Sequence, residues 1–578
     1  MDPLQNTSRK KMIIIVCAII VLQLCVSTFF MATRKNGYYA DDMYSYGFAN
    51  SDEQLTPLQI GGKDIIEYNT WHDGQDLLSY LTVSKDEVFS YDKIVHILRK
   101  DAHPPLFYFL LHFICSLTPD VFSKWSGFII NVAAFVILQV FLYRLTLFIS
   151  RSRSIALLTM TMFGFTSASI SMMSLIRMYV LGAGLALVFT FYGFRYLKVT
   201  DSKKPLDKNL LLCFISLYLA SMTAYIDIIY SFFLTVCIGI MMLIKKELKK
   251  TLCFGFFMLL AIGLMLASFP TFFVQMKTDQ PALQGGDGYS LILQIRMGIH
   301  VMIKTLFGIN TPIFASMLPL YFLWSVTGIV IIFLIVSFLF REDAWFLSFK
   351  AKAIKCIKYT IKRSLPYLYY LIPIFLCSTF MLIYFAIQLK LYYYRYDGLR
   401  YLFLLTPFYV ICIFTILFKL IKQPYIRIPL VLLLITTSIF MGKRPFLEED
   451  FQTKKLAEIT AGSDVVVVEE QAIIFMYHIA DILDCNRFYY TNPKSFYDDL
   501  PRTKLGDKKD DSKAMYLLVD LGAGRITPEK TISIGLDGKE EPDLNPYHDV
   551  YYYFKSIPEY SNIEFVGNFS TCNLYKLK

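Results

Sequence analysis

"RKKMIIIVCAIIVLQLCVSTFFMATRKNGYYADDMYSYGFANS", Arg9 to Ser51, sets how the rest of the chain reads. Arg9, Lys10 and Lys11 precede an apolar run, Met12 to Phe30, long enough to cross roughly 30 Å of hydrocarbon as a helix. The run exceeds the roughly 7 to 15 apolar residues of a secretory signal. It ends in "FFMATRK", without a small-x-small cleavage site. It therefore reads as a retained anchor with its N-terminus inside. Two adjacent carboxylates, Asp41 and Asp42, stand where the chain leaves the membrane.

The same pattern continues outward. Of 578 residues, 55% are hydrophobic and only 18% charged, against about 25% charged in soluble domains. The apolar residues gather into runs of about 17 to 25, the length of a span. Inside lipid a backbone must satisfy its own hydrogen bonds, as helices or as a closed barrel. Runs such as "IIVCAIIVLQL" and "VFTFYGF" lack the alternation of barrel strands. The chain is thus expected to be a polytopic α-helical membrane protein.

A net charge of +11 raises the question of nucleic acid. Much of the excess sits in short loops: Arg9 to Lys11; Lys245, Lys246, Lys249 and Lys250; and Lys350 to Arg363. That is the positive-inside bias that orients helices, so no nucleic-acid partner is expected. Most of the eleven cysteines lie in apolar runs with no CxxC pair, which supports neither a disulfide framework nor a zinc site.

Apolar segments follow the anchor at about 103–118, 126–148, 155–175, 178–197, 210–226, 228–244, 252–274, 292–310, 314–340, 365–388, 400–418 and 427–442. If all crossed, the lysine loops 198–208 and 245–250 would lie outside, against the charge rule. The conflict disappears if two segments do not cross. One is "HPPLFYFLLHFICSL", His103 to Leu117, which opens on two prolines; the other is 292–310, interrupted by Arg296, His300 and Lys304. About eleven spans remain, up to thirteen counting interfacial helices. The expected organisation is a transmembrane domain, residues 1–442, with a large outer loop, 33–125, and an extracytoplasmic soluble α/β domain, 443–578. Within the latter, "SDVVVVEE" and "AMYLLVDLG" read as strands, "QAIIFMYHIADIL" as a helix and "IEFVGNFSTCNLYKL" as a closing strand pair.

This topology puts several polar groups on one outer face. A single carboxylate there is ordinarily solvated and idle. A pair facing a cavity repel each other, which leaves one as a candidate general base. "RKDAHPPLFYFLLH" adds Asp101 and His103 at the far end of the same loop, although His-Pro-Pro also serves simply as a rigid turn. "MMSLIRMYVLG" places Arg177 and Tyr179 at an outer turn, and "LKLYYYRYDGLRYLFLLTPF" places Arg395 and Arg400 at another. Such residues also form interfacial belts of tyrosine and snorkelling arginine. As a functional set they suit a lipid phosphate, for which arginine offers a two-pronged fork. "QGGDGYS" lacks the helix and lysine of a phosphate loop, "LGAGRITP" is no dinucleotide fingerprint, and "NFS" at Asn568 is a common chance sequon.

Taken in order, "ADDMYSYGFANS", "DAHPPLFYFLLHFICSL", "IRMYVLG" and "RYLFLLTPF" resemble the GT-C class of multi-spanning glycosyltransferases. The similarity is to the bacterial group related to protein O-mannosyltransferases and lipid A aminoarabinose transferase, and it covers roughly Met12 to Leu420. Many relatives carry Asp-Glu where this chain has Asp41-Asp42. The resemblance implies a GT-C-like fold and transfer of a sugar from a polyprenyl-phosphate donor to a hydroxyl on an extracytoplasmic glycan, lipid or protein. In that scheme Asp41 or Asp42 is the base, while Arg395, Arg400, Arg177 or His103 steadies the departing phosphate. Membrane lipids are the surrounding partner. No cofactor is required, although some members of the class use a divalent metal; the metal ligands, if any, are unknown. Two other readings compete: a transporter or flippase for a lipid-linked sugar, which calls for ionisable groups near mid-membrane, and a non-catalytic cell-envelope scaffold.

Overall fold

The computed structural model describes residues 8–55, 65–101, 103–275, 290–310, 344–388, 398–421, 423–447, 453–468, 476–491, 514–520, 532–534, 540–542, 562–569 and 572–577, with side chains of the fifth segment described from Ser364. The first half forms α1 (Arg9–Arg34), α2 (Ala40–Asn50), β1 (Thr70–His72), α3 (Gly74–Leu81), α4 (Asp92–Ile97), α5 (Leu106–Ser116), α6 (Lys124–Ser150), α7 (Arg153–Gly164), α8 (Ser167–Ser174), α9 (Tyr179–Val199), α10 (Lys208–Ser221), α11 (Tyr225–Ile244), α12 (Leu248–Ser268) and α13 (Phe272–Gln275). After these come α14 (Leu291–Phe307), α15 (Ala344–Gln388), α16 (Leu399–Leu402), α17 (Thr406–Leu420), α18 (Pro424–Met441) and α19 (Thr453–Thr460).

Among the described residues seven helices are long and apolar enough to cross a membrane: α1, α6, α9, α11, α12, the Ser364–Gln388 part of α15, and α18. An eighth arises if α7 and α8, bent by 57°, count as one span. The chain is a multi-pass membrane protein. Ile13, Ile14, Val21, Leu22 and Phe29 of α1 are exposed, as lipid-facing side chains must be. α9 lies at the centre, packed by α6, α10 and α11.

Among the described residues eight of the eleven expected segments give helices of that length, α7 and α8 counted as one, and three do not. The segment at 210–226 gives a helix of only 14 residues, about 21 Å long. Asp207 caps its start by accepting from Asn209 N and Leu210 N, and the chain turns after Ser221, where Met222 O accepts from Leu106 N. The segment at 400–418 spends its first residues on the turn that holds Arg400, so α17 has 15 residues. The segment at 314–340 lies outside the described residues. His103 to Leu117 yields α5, with 11 residues, and 292–310 yields α14, with 17. Both are shorter than the spans.

The C-terminal strands β2 (Asp464–Val468), β3 (Arg487–Thr491), β4 (Met515–Asp520), β7 (Glu564–Phe569) and β8 (Cys572–Leu577) join β1 in one sheet of order β1-β3-β2-β4-β8-β7, while β5 (Ile532–Ile534) and β6 (Glu540–Pro542) pair separately. β2 runs parallel to β3 and β4, and the β7–β8 hairpin closes antiparallel. Of the helix expected over "QAIIFMYHIADIL", the described part is one short turn ending in a 3-10 segment, Ile479–Asp481. One edge strand, β1, comes from the stretch just before α3. Its register sets Trp71 opposite Tyr489, so the sheet draws on residues outside 443–578.

Candidate active site

α2 carries the acidic doublet at its amino end, where the helix dipole favours negative charge. Asp42 closes the first turn: its Oδ2 accepts from Tyr39 N at 2.9 Å and from Lys35 Nζ at 2.5 Å. Its Oδ1 accepts from Ile176 N at 2.6 Å, and the residue is 0% exposed. Both oxygens are thus committed within the protein. Lys35 is buried as well and donates onward to Phe446 O at 3.1 Å. Gly47, midway along α2, lies so close to Tyr80 of α3 that a Cβ would collide with the ring.

Asp41, on the neighbouring position, points elsewhere. Its Oδ2 lies 3.2 Å from Arg400 Nη1 and its Oδ1 lies 3.8 Å from Arg177 Nη2. With 9% exposure it is the more accessible of the two acids.

Each arginine is held by further partners. Arg177 Nη1 donates to Tyr108 Oη at 2.8 Å and to Ser45 Oγ at 3.2 Å. The break between α7 and α8, and the loop leaving α8, bring Ile176 and Arg177 to this position. Asn131 of α6 pins that loop by donating from Nδ2 to Met173 O at 3.0 Å and Leu175 O at 2.7 Å. Arg400 donates to Tyr39 Oη at 2.5 Å and Tyr401 Oη at 3.1 Å, and stacks its charge over both rings. Tyr179 sets its ring 6.4 Å from that of Tyr401. Burial disfavours charge on Arg177 and Arg400, but neighbouring tyrosines and Asp41 more than offset it, so both guanidiniums are held above their ordinary range. Burial pushes the Tyr108 phenol up, with Arg177 opposing, so it serves as a neutral hydroxyl.

The His-Pro-Pro element reaches the same place. His103 Nδ1 pairs with Asp101 Oδ2, and its ring centroid is 6.5 Å from that of Tyr108. Gln275 of α13 donates to His103 O at 3.2 Å and to Leu98 O at 2.5 Å, while accepting from Tyr225 Oη. Asp101 and His103 remain partly exposed, at 21% and 26% of their side chains. Of the residues singled out from sequence, Asp41, Asp42, Asp101, His103, Arg177, Tyr179 and Arg400 therefore converge; Arg395 lies outside the described residues. Lys35, Tyr39, Ser45, Tyr108, Asn131 and Tyr401 were not foreseen. A lone Asn inside the apolar run of α6 was the one available signal. A separate cavity of about 400 Å³ opens at the far end of α2, between Asn50, Asp52, Gln75, Ser79, Glu87 and Asp120, and contains none of the converging residues.

A divalent metal does not fit this set of acids. Asp42 has both oxygens engaged and Asp41 is flanked by guanidiniums, which repel a cation. Among the described residues no three His, Cys, Asp or Glu side chains gather as a metal site.

No protein-family model matches the chain, and no curated protein does. Among solved structures it is similar to ArnT from Cupriavidus metallidurans in the apo state, at 10% identity and a TM-score of 0.46, over 97% of this chain and 98% of that one. The same protein bound to undecaprenyl phosphate gives 9% identity and a TM-score of 0.44, over 96% and 97%. The archaeal oligosaccharyltransferase AglB from Archaeoglobus fulgidus, in complex with an inhibitory peptide and a dolichol-phosphate, gives 9% and 0.42, over 87% and 69%. These neighbours are GT-C glycosyltransferases, the class that the sequence resembles. Likeness of this degree carries no argument about chemistry, which rests on this chain's own side chains.

Proposed function

We propose that this protein is a membrane glycosyltransferase of GT-C-like fold that moves a sugar from a polyprenyl-phosphate donor to a hydroxyl acceptor on the extracytoplasmic side. In this reading the N-terminus is cytoplasmic, and the sheet-forming C-terminal residues lie on the outer side with the acidic doublet. The observation that carries the reading is the setting of Asp41: a buried but not sealed carboxylate bridged by Arg177 and Arg400.

Asp41 is the general base and Asp42 the anchor that positions it. The acceptor oxygen attacks the anomeric carbon as its proton passes to Asp41; the carbon–oxygen bond to phosphate breaks and its electron pair leaves with the phosphate. Arg400, drawn from Asp41 toward that developing charge, stabilises the leaving group and frees the carboxylate oxygen for the proton. Arg177 stays with Tyr108 and keeps Asp41 aligned. The Asp101–His103 pair stands on the accessible side, where it contacts the sugar or its acceptor.

Transfer measured in proteoliposomes from a panel of polyprenyl-phosphate sugars tests this. Asp41→Asn should lower transfer by about 10² to 10⁴ with insertion unchanged. Transfer that survives the substitution removes Asp41 as the base.

A further inference from the structure

Four cations gather at the end of the helices away from Asp41. Lys124, at the start of α6, donates to Lys35 O at 2.8 Å and to Met31 O at 3.0 Å, and Tyr179, at the start of α9, lies beside Tyr401. Both helices therefore begin at the level of the acidic doublet. Arg144 stands about 30 Å further along α6, by the rise of the helix. Arg195 and Lys198 belong to the last turns of α9, and Arg151 directly follows α6.

Aromatic rings join them. The Arg144 guanidinium lies 4.5 Å from the centroid of the Phe191 ring and 4.8 Å from that of Phe141. Arg195 stands over the same Phe191 ring at 5.8 Å, and Lys198 Nζ lies 4.9 Å from Phe148, whose ring is 6.1 Å from Phe191. Arg151 is near enough to Lys198 for the two charges to repel. It is held there with φ at 52°, in the left-handed region that glycine or asparagine occupies with least strain.

Ring faces attract these cations but bring no opposite charge. Among the described residues none of the four pairs with a carboxylate. The two acids that follow in the chain are engaged locally: Asp201 accepts from Lys203 N, and Asp207 accepts from Thr200 Oγ1, Asn209 N and Leu210 N. Flanking cations ordinarily snorkel outward to water and apart from one another. Arg144 instead lies half-buried over rings, about 9 Å short of the end of α6.

The cluster also faces lipid. Ile137, Phe141, Arg144 and Phe148 fall within about 60° around α6, and Ile137 is 38% exposed in a helix apolar enough to span. Apolar surface therefore leads along the membrane into the cations, the order of acyl chain and headgroup in a phospholipid.

We propose that the far ends of α6 and α9 form a binding site for one anionic phospholipid, with its phosphodiester among Arg144, Arg151, Arg195 and Lys198 and an acyl chain against Ile137 and Phe141. The arginines provide forks of N–H donors to phosphate oxygens and Lys198 a point charge. In the orientation proposed above this is the cytoplasmic leaflet, whose anionic lipids attract basic residues. The site is independent of whether the protein transfers a sugar.

The test titrates full-length protein in detergent with phosphatidylglycerol, phosphatidylcholine, a polyprenyl phosphate and inorganic phosphate, with the first bound lipid followed by native mass spectrometry. Phosphatidylglycerol should bind about tenfold or more tightly than phosphatidylcholine, and Arg144→Gln/Arg195→Gln/Lys198→Gln should abolish that preference. Arg144→Lys/Arg195→Lys/Lys198→Arg, which keeps the charges, should retain most of it. Equal affinity for the two phospholipids in wild type overturns the proposal, as does an unchanged preference in the neutral variant or its loss in the charge-keeping one. Lys203→Gln/Lys204→Gln/Lys208→Gln removes three exposed cations beyond the rings and should bind like wild type; an equal loss there would mean diffuse attraction and no site. Polyprenyl phosphate or inorganic phosphate displacing phosphatidylglycerol at matched concentration would assign the cluster to another anion.

Discussion

Arg400 Nη1 stands 3.2 Å from Asp41 Oδ2, although 359 positions separate the two residues in the chain. No hydrogen bond ties Asp42, one residue along, to that arginine; its oxygens go to Lys35, Tyr39 and Ile176. Adjacent positions on a helix point about 100° apart, and here that angle divides a partly accessible carboxylate from one whose oxygens are both engaged.

The two acids should therefore fail differently. Asp42→Asn leaves the buried Lys35 ammonium without its counter-ion, and breaking a buried pair costs about 3 to 5 kcal/mol. Asp41→Asn takes the counter-charge from two buried arginines but leaves them their hydroxyl partners and a partly accessible position, so it should destabilise less than Asp42→Asn. Melting temperatures of the two variants, set beside their transfer rates, check the division: Asp42→Asn should be the less stable protein and Asp41→Asn the less active one.

Arg400→Lys keeps the charge but cannot reach Asp41, Tyr39 and Tyr401 together. Transfer should fall by about 10- to 100-fold, the equivalent of one or two charge-assisted hydrogen bonds. Tyr401→Phe, which removes one neutral acceptor at 3.1 Å, should cost much less. Steady-state rates of both variants with one donor decide it.

Gly47→Ala should disturb the packing of α2 on α3, because the new methyl meets the fully buried Tyr80 ring. Overpacking of this kind costs about 1 to 3 kcal/mol. A drop in melting temperature together with lost transfer is expected, since α2 carries Asp41.

His112 gives a pH dependence with a definite sign. Its Nδ1–H donates to Ala49 O at 2.8 Å, Nε2 is buried without a hydrogen bond, and burial holds the imidazole below its usual range while the Ala49 bond opposes the shift. The unfolded chain takes up this proton near pH 6.5, before the folded protein does. Stability from this group is complete above that pH and is lost as pH falls through the lower folded value. Melting temperatures between pH 7.5 and pH 5 should fall more steeply for wild type than for His112→Gln, whose amide can still donate to Ala49 O.

Much of the candidate site was legible because polar residues are conspicuous in an apolar chain: Asp41, Asp42, Asp101, His103, Arg177, Tyr179 and Arg400 stood out against their surroundings, and the structure brings them near one another. Which acid is sealed and which is partly accessible was not legible. That depends on the Ile176 amide, 134 residues from Asp42 and carried by the loop that leaves α8, and on the inward turn of Lys35, which reads in sequence as an ordinary flanking cation. The short helices α10 and α17 were overestimated because hydropathy marks where a chain is apolar and not where it must unwind to hold Arg400 or meet Leu106. β1 was missed because three residues, "TWH", carry no periodicity; their pairing with β3 is purely tertiary.

That small strand ties together parts of the molecule usually imagined as separable. Thr70–His72 lies against β3, the Phe446 carbonyl accepts from Lys35, and the Phe446 and Tyr477 rings both pack on Tyr39. A chimera that exchanged everything after residue 442 for a foreign segment would lose the sheet partner of β1, a bond to the lysine that pairs with Asp42, and two supports of the tyrosine beneath Arg400. The residues after 442 and the helices around Asp41 are therefore mechanically coupled, and neither can be exchanged without disturbing the other.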